Sequence, residues 1–404
     1  MTWLVLVLIF GLLALIPGSF CRGLNEEFTW TRISYAAPIR LAESYIYENN
    51  IPMSANRWRN KLFVTVPRRR PGIPSTLNFI WTNTSQKHNV PLISYPNFAI
   101  NQLPTGDSDG FVSIYRTAVD PCNRLWMVDT GTLEYPGNVN RLQQPAVVII
   151  DLLTDQIIRR YELRPLDITN RTSLATMVVD VTPATCNSAY AYMPDLSGFG
   201  VVVYSFQENR SWRVSHNYFS PDAQAKDFTI GNVNFQLNDG IFSLSLSDVK
   251  PDGHRNAYFH SLAGTHTYSV STHILKNRRL ATRMDHGNDF MVEVNRGQQT
   301  QASASDLHRT SGILFLGLVN QNALACWNSF TPATPDNFDI IYKDDQKFQY
   351  PCDVKISGDD VIVITNAMPV FLFGKLNYNE INFRIWIRNV YEAIRDTKCA
   401  MRPF

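Results

Sequence analysis

Apolar residues in this chain fall in short runs rather than in helical stripes. KLFVTV (Lys61–Val66), AVVIID (Ala146–Asp151), AYAYM (Ala189–Met193) and VVVYSF (Val201–Phe206) are examples. AYFHSL (Ala257–Leu262), GILFLGLV (Gly312–Val319) and DVIVIT (Asp360–Thr365) continue the series. They are rich in β-branched and aromatic side chains and are punctuated by Gly, Pro, Asn and Asp. That combination predicts strands rather than buried helices. Only NVYEAIRD (Asn389–Asp396) looks helical.

The strands recur in one phrase. A modest strand ends near an Asp, a polar turn follows, then a strongly apolar strand, a small-residue loop and another strand. Copies occupy Phe111–Gly131, Met177–Phe206, Ile241–Val270, Ala302–Asn328 and Tyr350–Pro369, with an early partial copy at Asn60–Ile80. A repeat at roughly 50–70 residues signals a solenoid, propeller or array. Antiparallel units without interleaved helices select the propeller. The predicted class is therefore all-β, a six-bladed β-propeller with a central channel, formed as one domain by residues 22–404. A pair of β-sandwiches would instead show a composition break near the middle of the chain, and none is visible.

In a propeller blade the strands alternate direction outward from the channel. The loop after each second strand and the connection into the next blade then open on one face. Those second-strand loops begin at Pro67-Arg68, Asp129, Asp195, Ala263-Gly264, Asn320 and Asn366. Six distant segments would converge on one mouth, walled by apolar strands and holding a few polar groups. Such a concavity is the default ligand pocket.

Composition adds the compartment. The apolar run Trp3–Ile16, followed by Pro17, Gly18 and small residues, has the layout of a secretory signal, so residues 1–21 are expected to be removed. The run is shorter than the roughly 20 residues a spanning helix needs, so no membrane association is expected. The chain is read as secreted, extracellular and monomeric. A formal charge of +2 argues against a nucleic-acid partner, which demands a concentrated basic surface. The one basic cluster, Arg68-Arg69-Arg70, is read as a solvated loop. Six cysteines are present. With Cys21 leaving in the signal, Cys122, Cys186, Cys326, Cys352 and Cys399 remain, an odd set in which one thiol is left over or bonds another chain. Sequons at Asn83, Asn170 and Asn209 are candidate glycosylation sites.

Several tempting patterns carry no chemistry. His254, His260, His266 and His273 lie on separate strands and turns without a carboxylate cluster, so no metal is implied. Asp107-Ser-Asp-Gly110 lacks the later ligands of a calcium loop. Cys352 has no evident paired histidine, and SLSLS lacks the setting of a nucleophile elbow. No cofactor is implied.

VDPCNRLWMVDTG (Val119–Gly131), VVVYSFQENRSWRV (Val201–Val214) and GIFSLSLSD (Gly240–Asp248) resemble the insect yellow / major royal jelly protein family. So do AYFHSLAGTHTYSVST (Ala257–Thr272), SASDLHRTSGILFLGLVNQNALACWN (Ser303–Asn328) and ITNAMPVF (Ile364–Phe371), in colinear order. The resemblance implies a six-bladed propeller with disulfides Cys122–Cys186 and Cys326–Cys399, the second anchoring the C-terminal segment that closes the ring. It also implies a small-molecule site at the mouth. Salivary members bind biogenic amines there, and the matching positions are Cys352, Asn366 and Met368, with Tyr350 and Asn320 beside them. Cys352 replaces a hydroxyl residue and Met368 an aromatic one, which weakens hydrogen bonding and stacking toward serotonin. Other members resemble dopachrome-conversion enzymes, whose chemistry needs a proton taken beside an iminium and one delivered to an oxygen. Asp129, Asp195 and Asp353 are the catalytic candidates by loop position, although Asp at a strand end is often turn chemistry. The resemblance therefore implies a melanin-pathway protein with a small aromatic amine or aminochrome as partner. The alternative is a non-catalytic amine-binding or structural secreted protein.

Overall fold

The computed structural model describes residues 23–36, 45–105, 109–135 and 138–400. The expected signal segment 1–21 and Asp107 of the Asp-Ser-Asp-Gly turn lie outside these residues. Six four-stranded antiparallel sheets follow one another along the chain. Blade I is Ser54–Trp58, Lys61–Thr65, Leu77–Trp81 and Ile93–Ser94. Blade II is Ile114–Asp120, Arg124–Asp129, Ala146–Asp151 and Gln156–Glu162. Blade III is Val178–Asp180, Tyr190–Asp195, Gly200–Ser205 and Arg210–Ser215. Blade IV is Ile241–Leu246, Asn256–Ser261, His266–Ser271 and Phe290–Asn295. Blade V is Ala302–His308, Ile313–Leu318, Ala323–Asn328 and Phe338–Lys343. Blade VI takes Pro351–Ser357, Asp360–Thr365 and Phe383–Asn389 from the end of the chain and Asn25–Trp30 from its start. The first strand of each blade packs on the first strands of both neighbours, and blade VI returns to blade I. The sheets therefore form a closed propeller.

The radial position of a strand explains its composition. Middle strands are covered on both faces by adjacent blades, so Ile313–Leu318 and Ala323–Asn328 are buried throughout and read as continuous apolar runs. Outer strands such as Gln156–Glu162 alternate in exposure. Trp126 meets Phe206 at 5.8 Å, and Trp327 meets Tyr258 at 5.5 Å, bridging neighbouring blades with large aromatic rings.

Ring closure corrects one expectation. The C-terminal strand does not finish the ring, because the N-terminal strand pairs outside it, from Asn25 opposite Ile387 to Trp30 opposite Phe383. Two disulfides reinforce the circle. Cys122–Cys186 joins turns of blades II and III, and Cys326–Cys399 ties blade V to the segment after the last helix. Cys352 is free and buried. The expected C-terminal helix forms at Val390–Ile394, with the Asn389 side chain accepting from the Tyr391 and Glu392 amides as an N-cap. Three further helices, Thr272–Lys276, Arg278–Ala281 and Met368–Phe373, escaped the periodicity reading because each spans under two turns. Among the described residues no helix is long and apolar enough to cross a membrane.

The innermost strands carry a repeated irregularity. Register shifts fall between Ile114 and Thr117, Ile241 and Ser243, Ala302 and Ala304, and Pro351 and Asp353. A bulge leaves a residue out of the ladder and re-aims its side chain. Here the released residues are Tyr115 with Arg116, Phe242, Ser303 and Cys352. Arg116 of blade II reaches across the channel, donating to the Ser303 carbonyl at 3.2 Å and to the Cys352 carbonyl. Its guanidinium lies 5.0 Å from the Phe242 ring centroid. The channel is thus floored rather than open from end to end.

Candidate functional site at the channel mouth

The second-strand loops converge above this floor, but much of the mouth is roofed. The hairpin Asp227–Ile230 and Val233–Gln236 leans on the helix Met368–Phe373, with Phe235 and Phe373 rings 5.2 Å apart. Phe228 and Ile230 join Met368 and Phe371 in one buried apolar cluster. The part left open is a cleft of about 440 Å³ on the side of blades I to III, within the size range of small-molecule sites. A second hairpin, Thr132–Tyr135 with Asn138–Arg141, frames it. Its backbone is held to the blade I loop by the Glu134 amide donating to the Arg68 carbonyl at 3.2 Å.

Inside the cleft, Arg69 Nη1 lies 3.2 Å from the Tyr115 hydroxyl and 3.4 Å from Glu134 Oε2. Burial holds the Tyr115 phenol well above its ordinary range, against the pull of Arg69. The phenol therefore stays protonated. Asp239 stands at the connection into blade IV. Burial raises its carboxyl to about 6, with Arg69 lowering it and Glu134 raising it. Leu174 and Leu196 supply apolar wall. This arrangement joins a carboxyl that changes state near neutrality, a neutral phenol and a fixed guanidinium. It is suited to moving a proton on a small flat polar molecule.

The loop aspartates lie elsewhere in the architecture. Asp129 is fully buried and accepts from the amides of Val112 at 3.0 Å, Ser113 at 2.9 Å and Gly131 at 3.2 Å, with Arg160 at 3.3 Å. Asp195 accepts from Thr172 Oγ1 and the Ser173 amide, both at 2.8 Å, and pairs with Arg213 at 2.8 Å. It pins the rim segment that carries Asn170 and Arg171. Asp353 accepts from Ser54 Oγ at 2.7 Å and lies 3.6 Å from Arg116 Nε. The partners of all three are loop amides, hydroxyls and cations of the scaffold.

The positions matched to the amine binders are also internally engaged. The Cys352 thiol points at the Met53 and Ile364 carbonyls, at 3.6 and 3.5 Å, and burial pushes its pKa up. Asn366 is fully buried, donates to the Pro52 carbonyl at 2.8 Å and accepts from the Met368 amide at 3.2 Å. Tyr350 and Met368 are buried under the roof. Asn320 lies outside it, accepting from the Thr229 amide at 3.0 Å and donating to the Asp227 carbonyl at 3.1 Å. Asn83, Asn170 and Asn209 are all exposed. Among the described residues no group of three or more His, Cys, Asp or Glu side chains is placed to hold a metal.

The sequence reading passed over Arg69, Glu134 and Asp239. The basic cluster is not a solvated loop. Arg68 is buried and donates to five backbone carbonyls, those of Ile73, Phe111, Val112, Pro74 and Asn101. Arg69 follows it into the mouth. The legible signal for Asp239 was its place in LNDG, immediately before a first strand, where the inter-blade connections reach the same face as the second-strand loops.

Fold and site together define a closed six-bladed propeller with a small-molecule-sized mouth. Residues 112–399 match the family described as Major royal jelly protein. The chain is 38% identical over 358 residues to L-dopachrome tautomerase yellow-f of Drosophila melanogaster, covering 88% of this chain and 83% of that protein. It is 37% identical over 411 residues to Protein yellow of the same organism, covering 99% and 74% respectively. The chain belongs to the yellow / major royal jelly protein family. A solved aldose sugar dehydrogenase from Streptomyces coelicolor covers 90% of this chain and 98% of its own at a TM-score of 0.46 and 11% identity, a distant likeness on which nothing below rests.

Proposed function

We propose that this chain is a secreted yellow-family protein of the pigmentation pathway that isomerises a catechol-derived aminochrome, such as dopachrome, at the channel mouth. The observation that carries the reading is Asp239, a carboxyl raised to about 6 beside Arg69 and Tyr115 in a cleft of aminochrome size. In its ionised form Asp239 takes the proton from the ring carbon beside the iminium. The quinone oxygen gains a proton, so the product is an isomer and no oxidant or reductant is consumed. Arg69 and the protonated Tyr115 stabilise the negative charge that builds on oxygen as the C–H bond breaks. The family membership and the relative named L-dopachrome tautomerase support this choice of reaction. Secretion is supported by the two disulfides, which persist in oxidising compartments.

The test is loss of the visible absorbance of L-dopachrome with purified protein. The wild type is expected to exceed the buffer rate, with kcat/KM rising through about pH 6 as Asp239 ionises. Asp239→Asn is expected to lower kcat by about 10²-fold or more, the usual worth of a positioned base. A wild-type rate equal to buffer removes the catalytic reading.

A further inference from the structure

The charges of the mouth are unbalanced, and the imbalance names a ligand class. Its ionisable lining is Arg69, Arg141, Arg171, Glu134 and Asp239. Arg69 is paired with Glu134. Among the described residues neither Arg141 nor Arg171 has a carboxylate partner. Both are exposed, so their side chains are free to close on a ligand.

Their backbones, in contrast, are held. Arg141 ends the framing hairpin, paired opposite Thr132. Arg171 sits in a turn where the Thr169 amide donates to Thr172 Oγ1 at 2.7 Å, and Thr172 is itself anchored on Asp195 at 2.8 Å. Two guanidiniums without carboxylate partners thus line one cleft from anchored backbone positions.

We infer that the mouth selects a carboxylate-bearing, net-anionic aminochrome, with the carboxylate held at the rim by Arg141 and Arg171 and the ring lying inward toward Asp239. The inference rests on the aminochrome reading above and adds to it the charge class of the substrate. A guanidinium fork matches a carboxylate in geometry as well as charge. A protonated amine with no carboxylate would meet the same cations and be repelled. The selection is electrostatic and exposed, so it weakens with salt.

The experiment compares L-dopachrome with the decarboxylated aminochrome formed from dopamine. At low ionic strength kcat/KM is expected to favour the carboxylated compound by about tenfold, and added salt shrinks the ratio. In the Arg141→Gln/Arg171→Gln double variant the ratio falls below about two. The Arg171→Lys single variant, which keeps charge without the fork, retains part of it. Both glutamine changes are at exposed positions and leave the Asn170 sequon intact, and a thermal melt confirms folding. Equal efficiency toward the two aminochromes in the wild type, or an undiminished ratio in the double variant, overturns the inference. If neither compound is turned over, it is the catalytic reading that fails. The charge selection is then read from binding of indole-2-carboxylate against indole by calorimetry, where equal affinities overturn it.

Discussion

Replacing Asp239 by Asn is expected to make the protein more stable at neutral pH while it loses activity. The carboxyl sits at about 6 in the folded chain against 3.8 for the ordinary group, with burial as the largest cause. Because the folded value is the higher one, the protonated carboxyl contributes its stability fully below about pH 4. That contribution is lost as pH rises through 6, where the unfolded chain ionises more readily than the folded one. A difference of about two pKa units corresponds to roughly 3 kcal/mol. Asn is close in shape to the protonated acid and never ionises, so it escapes this cost. Among the described residues no hydrogen bond reaches the Asp239 carboxylate, so the amide strands no partner. Chemical denaturation of both proteins at pH 4 and pH 8 reads the effect. The two should be nearly equal at pH 4, with the variant ahead by up to about 3 kcal/mol at pH 8. Comparing variant with wild type cancels other titrating groups, such as the buried His260, whose pKa is depressed to about 3 by burial. A variant that is less stable at pH 8, or equally offset at both pH values, would refute the assignment of a half-buried, poised carboxyl. Stability gained with activity lost is the pattern expected where a site keeps a group in an unfavourable environment for chemistry.

Three other outcomes follow from the scaffold. Replacing Cys122 and Cys186, or Cys326 and Cys399, by Ser opens loops of 64 and 73 residues, and each pair should cost about 4 kcal/mol in denaturant titrations. Arg68→Ala leaves five buried carbonyls without their donor and should cost at least about 3 kcal/mol by the same measurement, where a solvated arginine would cost almost nothing. The Cys352 thiol is fully buried and its pKa is pushed up, so a thiol-reactive dye should label it only as the chain unfolds; fast labelling of the native protein contradicts the burial.

The ring was legible in sequence where strands are buried on both faces. VVVYSF and GILFLGLV carry their apolar runs whatever the neighbouring blade contributes. The ends of the blade pattern were less so. SANRW, the first strand of blade I, lines the channel with polar and small residues and has no apolar run to detect. NEEFTW, the closing strand, alternates weakly and belongs to a blade whose other strands lie at the far end of the chain. At the mouth, loop position was readable but loop role was not. Asp129 and Asp195 begin the right loops, yet an aspartate at a strand end finds amides within a few residues, and those local partners take its lone pairs. Asp239 differs because nothing nearby in sequence binds its carboxylate. Its raised pKa depends on burial beside Arg69 and Glu134, groups more than a hundred residues away in the chain.

The bulges explain why a propeller hole becomes a chamber. Six inner strands with regular ladders would point alternate side chains into the channel at matched heights. Four shifts at equivalent places break that pattern and bring Arg116, Phe242, Ser303 and Cys352 to one level. Burying a guanidinium there is costly. The cost is offset by Asp353 at 3.6 Å, by two backbone carbonyls that the bulges have freed from the ladder, and by the Phe242 ring face. The bulged strands thus supply both the cation and its acceptors. A straight inner strand would leave Arg116 without those carbonyls, and a neutral residue in its place would leave Asp353 with Ser54 at 2.7 Å and Lys355 at 3.6 Å. The floor, its cation and the acceptors of that cation therefore arise from one backbone device.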